Sequence, residues 1–387
     1  MGPLRYMAWF ATGLVGSLAL CAGFSILVDP YYVFGTLAVA GLNVRHPRAN
    51  DLMIAARTHL VARMRPRTLL LGNSRMEAGL NPASATWPIA MMPVFDAGLP
   101  GRDLAAARRV IEATLAGGRL KHIVVAVEFL DTMGDEGQGP PVPPIRLDVP
   151  ELSQRTDTLR DWFDASLTIG ALADSIATAL GQSSHATDVS RPDGSSDLGA
   201  YADYVRQYGG AALFEHKMAE YRARFATYKP PDFNVPDRNT TFGALLAILN
   251  VARASGCTTD IIIYPYHAAV LDLMRKDGLW PSFEAFKRAL VHLVWRSYPG
   301  TRIVDFSGYN LYTTEPPPPD GVREPMHWYW EPGHFRTSLG DQIVERLFND
   351  TGDSDFGRDL RPDTLDAVLR AIRHERAEAL ADKPAAR

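Results

Sequence analysis

Three short stretches carry the side-chain types that covalent catalysis needs. The first is Gly72-Asn73-Ser74-Arg75, which closes the apolar run Thr68-Leu69-Leu70-Leu71 and presents Ser74 on a tight turn. In the second, Asp96-Ala97-Gly98-Leu99-Pro100-Gly101, the bare N–H of Gly98 can approach the same point in space. The third, His327 to Phe335 (HWYWEPGHF), puts Glu331 three residues before His334. A hydroxyl is a poor nucleophile until a base takes its proton and a third group orients that base. Ser74, His334 and Glu331 supply those three types. The plainer reading of Ser74 is a cap on the helix that follows it.

Other residues could line the same crevice. Arg75 could clamp a carboxylate or phosphate on a substrate, and Asn73 sits beside it. Glu128 ends the apolar run His122 to Phe129, with an ion pair to Arg75 as its alternative role. His267, in Tyr264-Pro265-Tyr266-His267, suits substrate contact, an alternative base or a packed histidine equally. Asp305 ends the run Arg302-Ile303-Val304-Asp305, where it could replace Glu331 as the orienting acid or cap a helix. Trp328, Tyr329 and Trp330 could stack on sugar rings, although aromatic residues beside a helix start more often belong to the core. His327, Glu331 and His334 also offer metal-ligand types. Pro332 and Gly333 interrupt any helix that would array them on one face, so no metal site is assigned and a metal-dependent hydrolase stays the lesser alternative. No cofactor motif is present, and the cysteines, Cys21 and Cys257, are too far apart in sequence to suggest a disulfide.

Positioning such residues takes an α/β scaffold. Runs at Thr68 to Leu71, Pro93 to Phe95, His122 to Phe129, Ile261 to Tyr264 and Arg302 to Phe306 alternate with helical spacing at 51–64, 103–116, 240–255, 282–297 and 338–348. Near-continuous apolar strands in this rhythm predict a doubly wound, mostly parallel sheet covered by helices on both faces, flavodoxin-like in arrangement. Residues just past the carboxyl ends of such strands face a shared crevice. The rhythm fails over 131–238, where a Pro/Gly-rich opening precedes helical patterns near 156–181 and 197–227; this reads as a helical insertion or lid. The organisation expected is therefore a linker and leading helix at 29–66, the sheet domain at 67–130 and 239–350, and a charged helical tail at 351–387, taken as a solvated surface element.

The chain has 387 residues, 46% of them hydrophobic, and a net charge of −4. Nothing in that balance, and no basic block, recruits nucleic acid. Residues 7–28 contain no charge and are long enough for a helix crossing the ~30 Å hydrocarbon core. With Arg5 on the short flank, residues 1–6 are expected in the cytoplasm, and the rest is expected in the periplasm or another extracytoplasmic space. The apolar run is longer than a typical ~7–15-residue signal-peptide core and lacks a good cleavage site, so a retained single-pass anchor in the inner membrane is expected.

In order and distribution, the three stretches resemble the SGNH (GDSL-like) hydrolase superfamily. Its members carry a Gly-Asp-Ser block after the first strand, then Asn-x-Gly-x-x-Gly, then Asp-x-x-His before the last helix. The likeness runs over roughly residues 67 to 349, interrupted by the insertion. It implies Ser74 as nucleophile, His334 as general base and Glu331 as orienting acid, with the N–H groups of Ser74 and Gly98 as the oxyanion hole. Three departures stand out: Asn73 and Glu331 each replace an aspartate, and the Gly-x-Asn-Asp block has no counterpart, the strand end reading Val127-Glu128-Phe129. With its anchor, the chain is similar to the membrane-anchored members that work in cell-envelope acyl transfer. That likeness implies an esterase or O-acyltransferase of envelope glycan or its ester substituents. The alternative is a silent domain of this type that binds glycan or a membrane acyltransferase partner.

Overall fold

The computed structural model describes residues 2–132, 142–184, 188–229, 231–233, 239–349 and 355–381. Most of the Pro/Gly-rich opening of the expected insertion, and the last residues of the tail, lie outside them. The chain begins with α1 (Pro3–Val28), longer than the uncharged run because Pro3 suits the first helical turn. Among the described residues it is the one single helix long and apolar enough to cross a membrane.

After α2 (Met53–Met64), the strand β1 (Thr68–Leu71) is followed at once by the short α3 (Ser74–Gly79). Then come β2 (Val94–Asp96), α4 (Arg108–Ala116) and β3 (His122–Ala126). Four helices follow: α5 (Glu151–Ser166), α6 (Ile169–Leu180), α7 (Gly199–Tyr208) and α8 (Gly210–Thr227). The alternation resumes with α9 (Thr240–Ser255), β4 (Thr258–Ile263), α10 (Ala268–Lys276), α11 (Trp280–Ser297) and β5 (Arg302–Asp305). A small antiparallel pair, β6 (Tyr329–Glu331) and β7 (His334–Phe335), leads into α12 (Thr337–Val344). The strand β8 (Arg358–Asp359) and α13 (Leu365–Ala381) close the described chain.

The main sheet has the order β2-β1-β3-β4-β5-β8, parallel except for β8. Every residue of β1, β2 and β3 is buried, as expected of strands covered on both faces. Because β2 lies on one side of β1 and β3 on the other, the winding reverses between β1 and β3. The crevice beyond their carboxyl ends is the place where such sheets hold ligands.

Several boundaries differ from expectation. β3 stops at Ala126, so Glu128 already lies beyond the ladder, and β4 begins at Thr258 because Thr258 to Asp260 continue the pairing with β3 despite their polarity. The tail is not simply solvated. Leu365, Leu369 and Ile372 are buried, and Arg358–Asp359 pairs with β5.

Candidate active site

Asn73 caps α3, its Oδ1 accepting the Arg75 N–H at 3.0 Å, which makes Ser74 the first helical residue. In that position its own N–H has no acceptor within the helix. Ser74 Oγ lies 2.8 Å from His334 Nε2. The other ring nitrogen, Nδ1, hydrogen-bonds Glu331 Oε1, and Glu331 Oε2 accepts the Gly333 N–H at 2.7 Å. Glu331 is 1% exposed. Burial alone would raise its pKa, but the charge and hydrogen bond of His334, the Gly333 N–H and nearby Arg75 outweigh it and hold the carboxyl below its usual range. An ionised carboxylate only accepts, so Nδ1 carries the proton and the Nε2 lone pair faces the serine. This arrangement can draw a proton from Ser74 as its oxygen attacks a carbonyl.

Two seams hold the halves together. The first is glycine against glycine. A Cβ on Gly340 of α12 would lie 1.8 Å from the Gly79 carbonyl oxygen of α3, and one on Gly79 would lie 1.9 Å from the Phe335 ring. The helix that starts at Ser74 therefore meets α12 backbone to backbone and takes the Phe335 ring, next to His334, against its last glycine. The second seam is Arg75. Its Nη1 pairs with Glu128 Oε2 at 2.5 Å, its Nε donates to the Gly333 carbonyl at 2.6 Å, and its Nη2 donates to the Tyr221 hydroxyl at 2.6 Å. One buried side chain thus ties the end of β3, the histidine loop and α8.

These contacts correct several expectations. Each nitrogen of the Arg75 guanidinium is engaged within the protein, so the side chain acts as a strut while also lining the cleft over Ser74. Asn73 and Glu128 are likewise held internally: Asn73 Nδ2 donates to Glu128 Oε2 at 2.5 Å and to Asp131 Oδ2 at 3.1 Å, Glu128 is fully buried, and Asn73 stays in the cleft wall. The Gly98 N–H donates to Asp96 Oδ1 at 2.7 Å, so it does not join an oxyanion hole with Ser74. His267 caps α10, its Nδ1 accepting from the Ala269 N–H while Nε2 bonds the Glu315 carbonyl; both nitrogens are engaged away from Ser74. Asp305 pairs with Lys287 Nζ at 2.6 Å and accepts from Ser307, which leaves the orienting position to Glu331. Tyr329 is core, whereas Trp330 is half-buried beside the Tyr201 ring and the Arg336 guanidinium. The His327 ring packs on Trp328, and among the described residues no three His, Cys, Asp or Glu side chains are grouped to hold a metal ion.

Further residues belong to the site. The Tyr201 hydroxyl lies 3.3 Å from His334 Nδ1, and Tyr221 receives Arg75; both come from helices between β3 and β4, where the spacing of residues reads only as amphipathic. A cleft of about 380 Å³ opens over Ser74, lined also by Gly101, Arg102, Asp131 and Arg224. Asp131 stands three residues past Glu128, an offset that places both carboxylates beyond β3 and could have marked it. Burial first, then the Glu128 charge, push Asp131 up to about 7 against the pull of Arg75, Asn73 and Arg224.

That shift has a measurable sign. A carboxyl raised in the folded state favours folding below the ordinary carboxylate range and loses that contribution as pH rises through about 7. The melting temperature of the native chain is therefore expected to fall relative to that of Asp131→Asn between pH 5 and pH 8. Parallel melting curves across that window would show that Asp131 does not titrate there.

The chain matches no protein-family model, no curated protein and no solved structure.

Proposed function

We propose that this chain is a membrane-anchored, extracytoplasmic serine esterase or O-acyltransferase of the SGNH (GDSL-like) type, acting on envelope glycan or its ester substituents. The observation that carries the reading is the relay Glu331–His334–Ser74 beside the cleft at the reversal of the sheet. In the proposed reaction, Ser74 Oγ attacks the acyl carbonyl while His334 Nε2 takes its proton. The tetrahedral adduct collapses as His334 returns that proton to the departing alcohol, leaving acyl-Ser74. Water or a sugar hydroxyl, deprotonated by the same imidazole, then takes the acyl group. Exclusion of water decides between hydrolysis and transfer. The apolar α1 with Arg5 at its short flank supports anchoring in the inner membrane with the sheet domain outside the cytoplasm.

A second reading draws on Gly98, whose N–H is tied to Asp96, so that Ser74 N–H is the one family oxyanion donor left. In that reading the domain is silent and binds glycan or a membrane acyltransferase. Treatment of the full chain with a fluorophosphonate probe separates the two. A phosphonyl adduct mapped to Ser74, lost in His334→Ala, is the result expected of the enzyme. A native chain that takes no adduct fits the silent domain.

A further inference from the structure

Exposed apolar side chains gather where α1 meets the folded domain. α6 lies against α1; its buried positions are the small residues Ala171, Ser175 and Thr178, and those of α1 are Ser25 and Val28. Small residues allow two helices to approach closely. The opposite side of α6 carries Ile169, Ala173, Ile176 and Leu180, whose spacing of four, three and four puts them on one face. Ile169 is 90% exposed and Leu180 79%. The segment after α1 adds Leu37, 88% exposed, together with Val39 and Val44. That segment is fastened on both sides: Asn43 Nδ2 donates to the Leu27 carbonyl at 3.2 Å, and Arg45 and Gln182 exchange hydrogen bonds of 2.9 and 2.8 Å. Trp162 and Phe163, both exposed, stand near the corner where α5 and α6 meet at 61°.

We infer that these residues form an apolar collar seated in the bilayer interface around the exit of α1, with lipid as its occupant. The inference rests on α1 crossing the membrane, and continuity with α1 is what selects lipid. The side chains of α1 are exposed along most of its length, so the hydrocarbon that covers them reaches the helix packed on its end. A contiguous exposed patch of this kind needs a covering partner. α6 has 12 residues and spans roughly 18 Å, short of a ~30 Å core, so it lies in the interface and does not cross. α5 carries Glu151, Arg155, Asp157, Arg160, Asp161 and Asp164, which exclude it from hydrocarbon. The aromatic corner suits the headgroup level. Arg45 is paired with Asp197, and Arg48 with Asp51 and Asp174, so the two arginines that follow α1 on this segment offer anionic headgroups no unpaired charge. The seating is therefore apolar and holds in zwitterionic lipid.

The test uses the full chain in phosphatidylcholine nanodiscs, with Cys21→Ser and Cys257→Ser as background and one nitroxide at a time. Collar labels are Leu37→Cys, Ile169→Cys, Ile176→Cys and Leu180→Cys; Val15→Cys reports on α1, and the exposed Lys276→Cys of α10 reports on water. All replace exposed side chains and leave the core intact. Power saturation is expected to show collar labels reached by oxygen and shielded from an aqueous nickel chelate, as at position 15, with the ratio reversed at position 276. Collar labels open to the chelate beside a lipid-exposed position 15 would overturn the collar and spare the anchor. Chelate access at position 15 as well would overturn both. Collar labels shielded from both reagents would mean that protein covers the face, which also overturns the inference.

Discussion

Ester cleavage by the full chain falls on the order of 10⁴-fold or more in Ser74→Ala, by a similar factor in His334→Ala, and no further in the double variant. The reason is the single hydrogen bond of 2.8 Å through which the two residues act. Without the imidazole the hydroxyl keeps its proton, and without the hydroxyl the imidazole has nothing to activate, so the second deletion removes nothing that the first has left. Initial rates on a chromogenic acyl ester, compared across the four chains, measure the effect. Multiplicative losses would show the two side chains working independently, and native-like turnover in either single variant would sink the relay. Both substitutions leave the Asn73 cap and the glycine seam in place, so the fold is expected to survive them.

The largest structural effect is expected at Arg75. Arg75→Met leaves the fully buried Glu128 without its cation, a loss of about 3–5 kcal/mol. Adding Glu128→Gln removes the stranded carboxyl and restores much of that stability, since a neutral pair costs little to bury. Activity stays low in the double variant, because the Gly333 carbonyl and the Tyr221 hydroxyl have both lost their donor and the histidine loop is no longer pinned. Chemical denaturation and turnover, measured on the same three chains, separate the two roles. Unchanged stability in Arg75→Met would show that the guanidinium is not the strut described. Arg75→Lys is no substitute, since one ammonium cannot reach three acceptors held in a planar fork.

How much of this was legible differs from element to element. The parallel strands announced themselves because burial on both faces leaves an unbroken apolar run, and the helical spacing over 240–255 matches α9, which the structure shows capped by Asn239 and stopped by Gly256 in the left-handed region. The strand β8 left no such trace: two residues, Arg358 and Asp359, join the sheet through a distant neighbour and an ion pair with Arg302. The α13 helix reads as solvated because its charges outnumber the three apolar residues that dock it. The approach of Ser74 to His334 could be anticipated from motif order. The role of Gly98 could not, since an aspartate two residues earlier competes locally for its N–H. Arg75, Asn73 and Glu128 were noticed for their types, but their partners are tertiary, and no local spacing distinguishes a buried strut from a ligand clamp. Tyr201 and Tyr221 come from helices that carry no motif at all.

The meeting of Gly79 and Gly340 also orders events in time. Ser74 and His334 are 260 positions apart, and the contact that brings them together is bare backbone with no room for adjustment. In the proposed reading, the serine gains its base only after α12 has been made and has come to rest on α3. A copy cut short before His334 would then carry the hydroxyl without the imidazole that activates it.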